Sequence, residues 1–248
     1  LRTRWNGAPQ WNFVAPDETD HVNITYGPFS PKYSGNAMGG VIDIYSREPQ
    51  KEEWTLQTTG WIQDWGVGES TGIAPGVKTF FAHGNKVGKL SYYMFYNRLE
   101  TQSQPTNIQT DTSIGGGAGT TSVTGPVRFR DARVRDVIVF SDDGEESIVN
   151  DLVKMRMNYD FSSELKLRGM IGYLDRHTEQ LKVNNYVRDS DGTRVWNNTS
   201  LDLNGTKFNV SDGLFDVSMR DKKDLIVGLG AKGKLANNWN YDVALSTY

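Results

Sequence analysis

The chain has 248 residues, a formal net charge of −3 and no cysteine, which excludes disulfide frameworks and cysteine-ligated metal centres. It holds no run near the roughly 18 apolar residues of a transmembrane helix, and its balanced charge offers no broad basic field for nucleic acid. Aromatic residues make up 11% of the chain and glycines number 26, a composition that favours β-strands joined by many turns.

Residues 1–50 differ from the rest of the chain. They combine a glycine pair and the short apolar run Val41–Ile44 with prolines at positions 9, 16, 28 and 31, which predicts a compact mixed segment. A charged joint, REPQKEE, follows at residues 47–53. We therefore place a domain boundary after residue 50.

Beyond this joint, apolar and polar side chains alternate along the chain. In residues 153–161 every second side chain is apolar and those between are polar. In residues 165–173 and 239–245 every second residue is again apolar or glycine, against the polar residues Lys166, Arg168, Asn240 and Asp242. A period of two residues predicts strands that have one apolar face and one polar face.

The alternation also predicts how neighbouring strands align. A three-residue turn at 162–164 places Phe161 opposite Leu165 and Tyr159 opposite Leu167, apolar against apolar. A slip of one residue would put apolar side chains opposite charged ones. The register of this hairpin is therefore fixed by its hydrophobic pattern.

The predicted connections alternate in length. Long loops run from about residue 64 to 77, 101 to 150 and 177 to 221, and short turns lie at 85–88, 162–164 and 236–238, the last of which aligns Leu235 with Trp239. About seven meandering strands with such connections are typical of outer-membrane barrels, whose periplasmic turns are short and whose extracellular loops are long. An open sheet edge cannot face lipid, so we expect further strands outside this sequence.

An interfacial aromatic girdle is predicted from Trp54, Tyr159, Phe161 and Trp239.

The string from Val22 to Ile44 reads VNITYGPFSPKYSGNAMGGVIDI. Its apolar strand, Gly-Pro turn, stretch of tyrosine and small residues, and final Gly-Gly-Val-Ile-Asp-Ile resemble the end of the plug domain of TonB-dependent outer-membrane receptors. Glycine and proline usually set backbone geometry, so we expect a structural role for the motif residues Gly27, Pro28, Tyr33, Gly35, Gly39 and Gly40. The family's acidic and arginine positions in this string are Asn23 and Tyr26 here, so the ionic contact made there in relatives is not carried over.

The resemblance implies a transmembrane antiparallel β-barrel of about 22 strands with an internal α+β plug. Residues 1–50 would be the C-terminal part of the plug, and residues 51–248 the first strands of the barrel. The expected location is the outer membrane of a Gram-negative bacterium, in contact with lipid and LPS.

The resemblance also implies active uptake of a scarce ligand, energised by TonB with ExbB and ExbD, and no enzymatic activity. A ferric chelate, siderophore or haem, is the first expectation for the ligand. Cobalamin, another metal complex or an oligosaccharide follow.

A basic patch is predicted on the polar face of two adjacent strands, formed by Lys154, Arg156, Lys166 and Arg168. If the apolar face meets lipid, this patch faces the barrel lumen. It is either a track for an anionic substrate or a wall that contacts the plug. The register favours the wall, because Asp160 lies opposite Lys166.

The two longest loops are the expected ligand-binding surface, because exposed loops on a rigid scaffold often carry recognition. The predicted contacts are Arg128, Arg130, Tyr186 and Trp196. The three histidines are scattered, and no nucleophile, carboxylate pair or metal-ligand spacing stands out. We therefore expect no catalytic site, no metal site and no cofactor.

Two other classes of function fit the strand pattern. A passive porin-like barrel or an adhesin would share the strands but would not depend on TonB. A soluble secreted β-sandwich that binds carbohydrate would remain in water without detergent.

Overall fold

The computed structural model describes residues 11–26, 40–112, 114, 116–235 and 239–247. The described part of the chain is all-β, with three short 3-10 helices, and it contains no helix long and apolar enough to cross a membrane. The helices are η1 (Trp11–Phe13), η2 (Pro16–Glu18) and η3 (Asp212–Leu214). The strands are β1 (Thr19–Tyr26), β2 (Gly40–Ser46), β3 (Glu53–Val67), β4 (Ser70–Val87), β5 (Leu90–Ser103), β6 (Ile108–Asp111), β7 (Thr121–Ser122), β8 (Val127–Arg130), β9 (Asp136–Asp142), β10 (Glu146–Ser162), β11 (Leu165–Gln180), β12 (Asn184–Asn185), β13 (Asn198–Leu203), β14 (Thr206–Val210), β15 (Met219–Leu235) and β16 (Trp239–Thr247).

The largest sheet has seven antiparallel strands in the order β16-β15-β11-β10-β5-β4-β3. Its strands follow one another along the chain, except that long insertions precede β10 and β15. The prediction of about seven meandering strands is confirmed. Among the described residues β3 and β16 each pair on one side only, so the sheet is open. Strands β1 and β2 form a separate hairpin.

The predicted registers are confirmed in two hairpins of this sheet. Tyr159 pairs with Leu167 between β10 and β11, and Leu235 pairs with Trp239 between β15 and β16. In both hairpins apolar side chains therefore lie on one face, as the alternation predicts.

The turn between β10 and β11 differs from the predicted three-residue turn. Ser162, rather than Phe161, pairs with Leu165. A bulge in β10 takes up one residue, and a tighter turn follows. The bulge and the shorter turn together use as many residues as the predicted turn, so the pairing beyond them is unchanged.

The long loop predicted between residues 64 and 77 is wrong. Strands β3 and β4 continue until Val67 pairs with Ser70, and only a two-residue turn separates them. Trp61 lies directly opposite Gly76, where a Cβ would come within 2.2 Å of the indole ring. The absence of a side chain at Gly76 thus makes room for a large side chain on the facing strand.

The two faces of the large sheet differ in polarity. The inward face, defined by its contact with residues 11–18, carries charged side chains and a buried core. The outward face carries large apolar side chains that no described element covers, and Leu56 and Leu245 are 73% and 77% exposed. This apolar band comprises Leu56, Ile62, Val77, Phe81, Met94, Val153, Met157, Ile171, Leu225, Leu229, Leu235, Val243 and Leu245.

Different side chains border the apolar band at its two ends. At the end where β4 turns into β5 and β10 into β11, the outward aromatic side chains Trp54, Tyr159, Phe161 and Trp239 are exposed. At the other end, ion pairs join adjacent strands on the outward face. Arg98 Nη1 lies 2.9 Å from Asp151 Oδ2, and Lys223 Nζ lies 3.5 Å from Asp175 Oδ2.

The two long connections, residues 104–145 and 181–218, fold together into one unit, called the loop unit below. Strand β7 of the first pairs with β13 of the second, and β9 pairs with β12. A core of fully buried side chains lies between them, including Ile138, Phe140 and Leu201. The loop unit thus carries its own hydrophobic core, separate from the core on the sheet's inward face.

We predict that Ile138→Ala opens the loop unit without unfolding the large sheet. The side chain is fully buried, and truncation of a buried isoleucine costs about 2–5 kcal/mol. Amide hydrogen exchange in residues 104–145 and 181–218 is expected to accelerate, while exchange in β10 and β11 stays slow. Phe129→Ala in the same unit is the control, because Phe129 is 58% exposed. Equal effects of the two substitutions would contradict a core at Ile138.

Candidate functional site

The inward face of the large sheet holds the N-terminal segment of the described chain. Phe13 and Ala15 are buried against the sheet, in one core with side chains of β4, β5, β10, β11 and β15. The ring of Phe13 lies near Gly172, where a Cβ would be 3.7 Å from Phe13 Cε1. Residues 11–18 therefore form a segment seated on the polar face of the sheet.

Glu18 lies at the centre of the contact between residues 11–18 and the sheet. Its carboxylate accepts a hydrogen bond from Lys154 Nζ at 2.7 Å, and the same ammonium donates to the Phe13 carbonyl at 3.0 Å. Glu18 is fully buried and Lys154 is 7% exposed. Two charges removed from water are stable only when they are paired and hydrogen-bonded, so each holds the other in place.

Glu18 also connects residues 11–18 to β2. The Ala15 amide donates to Oε1 at 3.3 Å, and the Ser46 hydroxyl donates to Oε2 at 3.2 Å. The Glu18 carbonyl accepts from the Arg47 amide at 2.9 Å. Glu18 thus joins residues 11–18, called the seated segment below, to the end of the β1–β2 hairpin and to strand β10 of the large sheet.

A second ion pair lies beside the first. Lys78 Nζ on β4 is 2.7 Å from Asp17 Oδ2. These side chains retain 22% and 13% of their exposure, so water screens this pair more than the pair at Glu18. It provides a natural comparison for the buried pair.

The joint between β2 and β3 is also fixed to the inward face. Pro49 is buried and packs on Gly84 of β4, where a Cβ would lie 2.3 Å from Pro49 Cγ. The Ser91 hydroxyl donates to the Pro49 carbonyl at 3.0 Å, and Lys166 on β11 forms an ion pair with Glu48. Strand β3 therefore begins from a joint that is anchored on the sheet.

The predicted basic patch lies on the inward face, but its four members have different partners. Lys154 is committed to Glu18. Lys166 lies opposite Asp160 in the register, as predicted, yet its ammonium pairs with Glu48 of the joint. A further ion pair joins Arg168 to Asp242 on β16. Arg156 forms no ion pair with the described residues.

A cavity of about 420 Å³ separates the joint from this part of the sheet. Its walls include three members of the basic patch, namely Arg156, Lys166 and Arg168. Arg47 of the joint and Lys232 of β15 also line it. The tertiary structure thus adds two cations to the patch and removes Lys154 from it.

Three of the predicted ligand contacts are exposed on the loop unit. Arg128 and Arg130 lie on β8, and Arg130 Nε is 3.4 Å from Asp136 Oδ1. Trp196 is 44% exposed, and its ring meets that of Phe215 edge-on at 5.0 Å. Each of these side chains remains available on the surface of the loop unit.

Tyr186, the fourth predicted contact, is buried. Its hydroxyl donates to the buried Asp142 carboxylate and also lies 3.1 Å from the Val67 carbonyl oxygen, so the two acceptors share its one proton. Burial, and then the hydrogen bond to Asp142, raise the pKa of Tyr186 above its ordinary value. Because Val67 ends β3, Tyr186 fastens the loop unit to the tip of the β3–β4 hairpin.

Most of the plug motif lies outside the described residues, namely Gly27, Pro28, Tyr33, Gly35 and Gly39. Gly40 is described and pairs with Tyr26 in the β1–β2 hairpin. Its φ of 151° is strained for other residues, and a Cβ there would lie 2.8 Å from the Thr25 carbonyl oxygen. Gly40 thus has the backbone role expected of it.

Comparison of this chain with protein-family models, curated proteins and solved structures gives no match. The function of the site is therefore inferred from its geometry alone. No group of three or more potential metal ligands occurs among the described residues.

Asp17, Glu18 and Lys78 are absent from the sequence predictions, although the acidic pair before an apolar strand is a visible signal.

We predict that Lys154→Met releases residues 11–18 from the sheet. Removal of one partner of a buried pair leaves an uncompensated charge and costs about 3–5 kcal/mol, whereas Lys78→Met is expected to cost about 1 kcal/mol. Hydrogen exchange of residues 11–26 and 40–46 measures the release. The double variant Glu18→Leu/Lys154→Met should be more protected than either single variant. Additive losses would contradict a coupled buried pair.

Proposed function

We propose that this chain is part of an outer-membrane active transporter of the TonB-dependent kind. In this proposal the large sheet is a portion of the barrel wall and residues 11–50 belong to the internal plug. The observation that carries the proposal is the opposite polarity of the two faces. An exposed apolar band lies on one side, and a segment held by a buried ion pair lies on the other.

The dimensions of the apolar band support a membrane-facing surface. On β15 the band runs from Leu225 to Leu235, which at about 3.4 Å per residue is ~34 Å along the strand. At the ~40° tilt of membrane strands this gives a height of ~26 Å, close to the ~25 Å expected of such bands. Aromatic side chains border the band at one end and ion-paired side chains border it at the other. These two borders fit the two membrane interfaces.

The seated segment supports an occupied barrel rather than an open pore. A passive porin needs a water-filled lumen, whereas here residues 11–18 and the joint lie on the inward face. The hairpin β1–β2, which includes both ends of the motif string from Val22 to Ile44, continues directly from that segment. A soluble sandwich would cover the outward face with a second sheet, and none of the described residues covers it.

The loop unit supports a role in ligand capture at the outer end. In the proposed orientation the turns that follow β4 and β10 are periplasmic, and the loop unit is extracellular together with the tip of the β3–β4 hairpin. A folded unit that carries Arg128, Arg130 and Trp196 on its surface offers basic and aromatic contacts. A ferric chelate remains the first expectation for the ligand. TonB, with ExbB and ExbD, is the proposed partner at the periplasmic side.

We predict that Leu245→Arg destabilises the protein in lipid by about 2–4 kcal/mol, the cost of an arginine on the lipid face near the bilayer midplane. Ser246→Arg is the matched control, because the adjacent side chain points to the inward face. Urea unfolding of the full-length protein from lipid vesicles measures the difference. Equal costs for the two variants would argue against a lipid-facing band and in favour of a soluble protein.

Energised transport is tested by uptake in cells that express the full-length protein. Accumulation of labelled ferric siderophores, haem and cobalamin is compared with and without a protonophore. We expect uptake of one of these ligands to vanish when the proton-motive force is collapsed. Uptake that persists at the same rate would indicate a passive channel. The absence of uptake, together with cell attachment, would indicate an adhesin.

A further inference from the structure

The cavity beneath the joint has an unbalanced charge. Five cationic side chains line it, and Glu48 is the one carboxylate among its lining residues. Glu48 pairs with Lys166, and Asp242 pairs with Arg168. The remaining cations are Arg47, Arg156 and Lys232, and none of them forms an ion pair with the described residues.

The rest of the chain does not supply the missing charge. Residues 1–10, 27–39, 113, 115, 236–238 and 248 contain no aspartate and no glutamate. All carboxylate side chains of the sequence are therefore in the described part. Within this sequence, no carboxylate side chain outside the described part can therefore offset the positive charge at the cavity.

The strand register adds to the unfavourable charge. Lys166 and Lys232 lie directly opposite each other on β11 and β15. Like charges in directly opposite positions destabilise a sheet, and one carboxylate from the joint offsets only one of them. A bound anion would offset the other.

A buried hydroxyl provides a second, independent observation. Tyr93 lines the same cavity and is 2% exposed. Its hydroxyl is buried and has no hydrogen-bond partner in the described structure. An unsatisfied buried hydroxyl costs free energy, and a small shift of the ring toward the cavity would let an anion oxygen accept its hydrogen bond.

We propose that this cavity binds a small polyanion that carries phosphate or carboxylate groups. Arg156 and Lys232 supply charge from the sheet, Arg47 supplies charge from the joint, and Tyr93 donates a hydrogen bond. The volume of about 420 Å³ is within the range of small-molecule sites. Charge-assisted hydrogen bonds from arginine and lysine suit such a ligand.

The location of the cavity gives this site a place in transport. It lies near the end of the sheet with the short turns, beneath the seated segment. In the proposed transporter this is the periplasmic side, where an anionic substrate would pass on leaving the barrel. This role on the exit path rests on the proposed function, whereas the anion site does not.

The test uses the full-length protein in detergent, with pyrophosphate and citrate as probes in equilibrium dialysis. We expect saturable binding that weakens as salt rises, because the contacts are electrostatic. The two probes separate a phosphate site from a carboxylate site. Saturable binding of neither probe overturns the proposal.

Three variants locate the binding. Arg156→Gln/Lys232→Gln should weaken binding by about tenfold or more. Tyr93→Phe should weaken it severalfold without loss of folding, since it removes an unsatisfied hydroxyl. Lys234→Gln is the matched control, because Lys234 lies two residues along β15 on the same face but does not line the cavity. An equal loss in the control overturns the site.

The outcomes separate this inference from the proposed function. Pyrophosphate or citrate binding without energised uptake would leave an anion site in a protein of another class. Energised uptake without binding of either anion would leave the transporter and remove this site.

Discussion

The buried pair of Glu18 and Lys154 is the interaction on which the arrangement of the inward face depends. A lysine in the wall of the sheet would be costly without its carboxylate, and the carboxylate would be equally costly without the lysine. Since Glu18 also binds Ala15 within the seated segment and Ser46 at the end of β2, one desolvated pair fixes the position of three elements. The joint then begins from a defined point and can dock Pro49 on Gly84.

The contrast between the two faces of the sheet follows from the same period of two residues. Apolar side chains fill the outward positions and stay uncovered, while the inward positions hold both charges and a small core around Phe13. A polar face can hold a packed segment because its charges are paired with that segment or with neighbouring strands. Where pairing is incomplete, beneath the joint, the face retains an excess of positive charge and an unsatisfied tyrosine hydroxyl.

The loop unit illustrates how long connections acquire order. The two insertions each contribute side chains to the shared core around Ile138, and strands paired between them hold them together. The buried hydroxyl of Tyr186 then ties this unit to the tip of the β3–β4 hairpin. Recognition by the surface of the loop unit would thus use a preformed scaffold, which lowers the entropy lost on binding.

The sequence by itself determined the number of strands in the large sheet and the register of its β10–β11 and β15–β16 hairpins, because a two-residue period leaves one alignment that keeps apolar side chains together. It also located the basic face. The tertiary structure alone decided the partners on that face, since Glu18 and Lys154 are distant in sequence and meet only when the N-terminal segment seats on β10. It likewise turned the predicted loop at residues 64–77 into paired strands in which Gly76 makes room for Trp61, and moved Tyr186 from the surface into a core, because those roles depend on side chains from other strands.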